Sequence, residues 1–75
     1  MNDNMTLNLL AKLIELKHKF DSPTKTLTFK VTGVFSVVVS VNPCHEGILC
    51  HVDLHTLTEE KIEEVVEIVT NEFAG

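Results

Sequence analysis

The side chains able to bind a metal or move a proton gather in one stretch: Cys44-His45, then Cys50-His51, Asp53 and His55. On an extended strand, alternate residues share a face about 7 Å apart. His51, Asp53 and His55 would then present two imidazoles and a carboxylate, donors suited to zinc or another divalent ion. Cys44 and His45 stand near enough in sequence to add ligands. The spacing Cys-His-x4-Cys-His-x3-His matches no zinc-site pattern, however, and alternation turns Cys50 away from His51. The preferred reading is a polar sheet face that happens to carry two histidines, with no metal or other cofactor. Nucleophilic chemistry has less support. A thiolate needs a base beside it; the adjacency of Cys44 and His45 does not juxtapose their side chains, and no CxxC or glycine-rich phosphate loop occurs. A non-enzymatic binding protein is expected.

The second chemical feature is acidic. The chain of 75 residues carries a net charge of −5, unevenly placed. Residues 1–37 hold five lysines against three acids, a balance of +2, while residues 38–75 hold one lysine against eight acids, a balance of −7. Glu59, Glu60, Glu63, Glu64, Glu67 and Glu72 account for most of the second figure. On a helix, Glu60, Glu64 and Glu67 share a face about 5.4 Å per turn apart, with Glu63 beside them and Glu59 and Glu72 extending the charge to either end. A solvated helix face explains glutamates in general. What stands out is that only Lys61 interrupts the row, leaving most of its charges without a helical ion-pair partner. These six glutamates are the candidate partner-binding residues. They repel phosphate, so direct nucleic-acid binding is not expected; they suit a protein partner with a basic, nucleic-acid-handling surface.

Two helices and three strands must position these groups. Residues 5–20 repeat apolar side chains at three- and four-residue steps, the pattern of an amphipathic helix, with Asn4 as its cap and Asp21-Ser22-Pro23 as its stop. Residues 26–32, 34–41 and 48–55 alternate, as half-buried strands do. Leu27, Phe29 and Val31 face inward on the first, Phe35, Val37, Val39 and Val41 on the second, and Ile48, Cys50, Val52 and Leu54 on the third. Gly33 serves the first turn, and Asn42 to Gly47 form the second connection. Thr58 caps the last helix, Leu57 staples onto Ile62, and Ile62, Val65, Val66, Val69 and Phe73 form its apolar face. Because each strand has one apolar face, both helices should cover the same side of a three-stranded antiparallel meander. The expected fold is α+β, one domain over residues 1–75, in the order αβββα.

This element order, with Thr58-Glu59-Glu60-Lys61 opening the second helix, is similar to that of double-stranded-RNA-binding domains. That family holds phosphates with a lysine cluster at this point; here the segment is acidic, so no RNA-binding residue carries over. In size, acidity and build the chain also looks like inhibitors encoded by phages and mobile elements, among them anti-CRISPR proteins and nucleic-acid mimics. That likeness implies an inhibitor of host machinery.

No apolar run approaches the roughly 18 residues of a membrane span, and Met1-Asn2-Asp3-Asn4 lacks a basic leader, so a cytoplasmic protein without membrane contact is expected. Cys44 and Cys50 are expected as free thiols. A core this small supplies only about 3–5 kcal/mol, and both outer strands are open edges, which favours a homodimer or a structural subunit associating through its sheet edge.

Overall fold

A computed structural model of the chain describes residues 3–43 and 47–74, and the order is the expected αβββα. Helix α1 spans Asp3–Phe20, strands β1, β2 and β3 span Thr26–Thr32, Ser36–Asn42 and Cys50–Asp53, a 3-10 turn spans Leu54–Thr56, and helix α2 spans Glu59–Ala74. The sheet is an antiparallel meander ordered β1-β2-β3. Leu27 pairs with Val41, Phe29 with Val39 and Val31 with Val37; across the other seam Val37 pairs with Val52 and Val39 with Cys50.

This register stacks the apolar sets on one face, which both helices cover. Leu9, Leu13 and Leu16 of α1, Leu27, Val37, Val39, Val41 and Val52 of the sheet, and Ile62, Val65 and Val69 of α2 form one buried core. The helices run in the same direction. Asn8 and Glu15 of α1 share a groove with Glu59 and Glu63 of α2, and farther on Phe20 stacks on Phe73 with centroids 5.2 Å apart. Lys25 fastens that end, donating to the Glu72 carbonyl at 2.6 Å and lying over the Phe73 ring.

The boundaries depart from the alternation pattern in three places. Helix α1 begins at Asp3, so Asn4 lies inside it and is not its cap. Strand β2 begins at Ser36: Gly33, Val34 and Phe35 form a three-residue hairpin loop, and Phe35 closes it in the left-handed region at φ 57° and is exposed. The expected inward Phe35 is thus outside the core. Strand β3 has only four residues, because Asp53 caps the 3-10 turn by accepting the His55 N–H at 2.8 Å. Ile48, expected inward, is 56% exposed, and Val31, on the core-facing side of β1 near the end of that edge strand, is 55% exposed. Leu54 stays buried even though it has left the strand. Thr58 caps α2 as expected: its hydroxyl accepts the Lys61 N–H at 3.1 Å.

Asp21 joins α1 to β1. Its carboxylate accepts the Lys17 ammonium at 2.7 Å and the Leu27 N–H at 2.8 Å, and Lys17 also donates to the Leu27 carbonyl at 2.8 Å. The Lys17 hydrogen bond first, then the Leu27 amide, holds the Asp21 carboxyl below the ordinary carboxylate range. A lowered folded pKa means that Asp21 stabilises the fold fully above its unfolded pKa of about 3.9, and that this contribution is lost as pH falls below that value toward the folded pKa. Asp21→Ala is expected to cost about 1–2 kcal/mol at neutral pH and to flatten the acid limb of a urea-stability profile between pH 2 and pH 4. An unchanged acid limb would remove Asp21 from the account.

Candidate functional site: the acidic face of α2

Five of the six candidate glutamates form a continuous surface. At about 100° per residue, Glu59, Glu60, Glu63, Glu64 and Glu67 fall within an arc of about 140°, away from the buried Ile62, Val65 and Val69, and all five are exposed. Among the described residues, only Glu64 has a cation close by, Lys61 at 3.4 Å. Glu59, Glu60, Glu63 and Glu67 form no ion pair with any other described residue. Glu72 is different. It lies on the side of the helix that turns back to the sheet, its carboxylate 3.8 Å from Lys25, so it ties α2 to the start of β1 and stands apart from the row.

The row is flanked by two grooves that the sequence pattern does not reveal. On the α1 side, a groove of about 390 Å³ is lined by Asn8, Ala11, Lys12 and Glu15 against Glu59, Ile62 and Glu63. Lys12 is near Glu15 at 3.8 Å, so the net charge there is negative. On the β3 side, a groove of about 430 Å³ brings His51 and Asp53 alongside Thr58, Glu60, Lys61 and Glu64. Asp53 and Glu15 therefore widen the acidic surface on either flank. Both are far from α2 in sequence, and only the register of β3 and the angle of α1 bring them there.

The histidine set does not assemble. His51 and Asp53 lie on β3, while His55 sits in the 3-10 turn with its ring edge-on to Phe35, centroids 4.9 Å apart. Among the described residues, no three His, Cys, Asp or Glu side chains are grouped to hold a metal ion. Cys44 and His45 lie outside the described residues. Cys50 is half-buried, and burial pushes its thiol pKa up, which keeps it protonated at neutral pH and a poor nucleophile. Zinc at modest excess is expected to leave the melting temperature unchanged. His55→Ala is expected to cost about 1 kcal/mol through the lost ring contact, with or without zinc. A stoichiometric zinc signal by elemental analysis, lost in the His51→Ala/His55→Ala protein, would contradict this.

Among the described residues, no helix is long and apolar enough to cross a membrane. No family model matches the chain, and no curated protein or solved structure matches it.

Proposed function

We propose that this chain is a small intracellular binding protein, without catalytic activity of its own, that engages a protein partner through the acidic face of α2. The partner's complementary surface is basic, of the kind that grips nucleic acid, and occupying it makes the chain an inhibitor. One observation carries the reading: five exposed glutamates in one arc, four of them without an ion pair among the described residues.

Helix energetics support it. Glu59 and Glu60, in the first turn, gain from the helix dipole. Glu63, Glu64 and Glu67 do not, and the pairs Glu59/Glu63, Glu60/Glu64 and Glu63/Glu67, each four residues apart, repel by about 0.2–0.5 kcal/mol apiece. A face selected for solubility alone escapes this cost by interspersing lysines. A face that must meet lysines and arginines on another molecule recovers it on binding. The test is to replace Glu60, Glu64 and Glu67 together by Gln and measure partner binding at low and moderate salt; binding that does not change refutes the proposal.

A further inference from the structure

We propose that the open edge of β1 pairs with the same edge of a second copy, in antiparallel register with Val31 on the two-fold axis. The main-chain groups of β1 point alternately toward β2 and toward the open edge. The Val39 carbonyl accepts from Leu49, so the odd residues of β2 turn toward β3, and its even residues bond β1. Their partners on β1 are Thr26, Thr28, Lys30 and Thr32, which leaves the N–H and C=O of Leu27, Phe29 and Val31 facing the open edge. Leu27 is already capped there: Asp21 takes its N–H and Lys17 its carbonyl. Phe29 and Val31 have no such partner among the described residues, so this edge displays two free donors and two free acceptors.

The side chains around this segment are apolar. Lys17 reaches the edge at Leu27, which fixes that flank of α1 above β1. By helical spacing Leu10 and Ile14 fall on the same flank, with Leu7 next to them; Leu7 is 64% and Ile14 49% exposed, and Val31, on the same edge strand, is 55% exposed. A second β1 laid along the edge brings a second α1 opposite the first, so that these side chains meet their own copies.

Charge and the Leu27 cap select the register. A two-fold at Phe29 sets Val31 against the partner copy's Leu27, whose main chain is already occupied. A two-fold at Lys30 sets two ammonium groups directly opposite one another, which is repulsive. A two-fold at Val31 sets Lys30 opposite Thr32 and Phe29 opposite Gly33, where the space a side chain would fill is open. In that register each Val31 N–H donates to the carbonyl of the other. The acidic groove of α2 lies against β3, at the other edge of the sheet. The dimer therefore leaves both acidic faces free, and its existence is independent of the function proposed above.

The test is sedimentation equilibrium together with amide exchange on the wild-type protein from micromolar to millimolar concentration. The expected result is a mass twice that of the 8.4 kDa chain, with the Val31 amide becoming protected as the dimer forms. Val31→Lys is expected to give a folded monomer, Lys30→Ala to leave association unchanged, and Glu60→Gln/Glu64→Gln/Glu67→Gln to remain dimeric. A monomer at millimolar concentration, or a dimer whose Val31 amide exchanges freely, overturns the proposal. Marked tightening by Lys30→Ala places the axis at Lys30 and overturns the register. If Val31→Lys does not fold, the exchange data on the wild type decide the matter alone.

Discussion

Leu13→Ala is expected to remove most of the protein's net stability at 25 °C. Leu13 is fully buried in the one core that α1, α2 and the sheet share. Truncating such a leucine costs about 2–5 kcal/mol in lost transfer energy and residual cavity. A domain of this size has about 3–5 kcal/mol of net stability, so the loss is comparable with the whole. Ile48→Ala is the informative contrast. Alternation points Ile48 inward, where truncation would cost as much as at Leu13, but the side chain is 56% exposed and an exposed substitution costs under about 0.5 kcal/mol. Urea titrations followed by circular dichroism separate the two variants. Equal losses would mean that β3 extends back to Ile48 and that the core is larger than described.

The second large effect is on binding. Replacing Glu60, Glu64 and Glu67 by Gln keeps helix propensity and shape and removes three charges. An exposed ion pair contributes about 0.2–1 kcal/mol, so losing three weakens the partner complex by about 0.6–3 kcal/mol, or roughly 3- to 150-fold. The effect shrinks with salt, because exposed charges are screened beyond about 10 Å at 0.1 M. Relief of the Glu60/Glu64 and Glu63/Glu67 repulsions offsets the lost dipole contribution of Glu60 and the lost Lys61–Glu64 pair at 3.4 Å, so the variant's stability stays close to that of the parent. Weakened binding with undiminished stability is the signature of residues that serve a partner. A variant that binds less because it has partly unfolded would show a lowered melting temperature.

The elements were legible wherever the period was long and unbroken. Leu9, Leu13 and Leu16, and Ile62, Val65 and Val69, fix two amphipathic helices, and Val37, Val39 and Val41 fix a central strand. The Thr58 cap is local chemistry and reads directly from sequence. The alternation misled where a local hydrogen bond or turn outweighed it. Asp53 captures the His55 N–H and converts the end of the third strand into a 3-10 turn, which separates His55 from His51. Phe35 continues the apolar alternation of Val37 and Val39 but closes the hairpin loop in a left-handed conformation. Of the acidic site, the row on α2 is a matter of helical spacing and was readable. The withdrawal of Glu72 to Lys25, and the arrival of Asp53 and Glu15 at its flanks, depend on tertiary packing that no local pattern encodes.

The acidic face is tested most directly by comparing what immobilised wild-type protein and its Glu60→Gln/Glu64→Gln/Glu67→Gln variant retain from the same cell extract, by quantitative mass spectrometry across a salt gradient. The expected result is a basic protein held by the wild type at low salt, released as salt rises, and depleted about 3-fold or more on the variant. The variant's circular dichroism and melting temperature should stay close to those of the wild type. Equal retention of every partner by the two proteins at low salt would contradict the account.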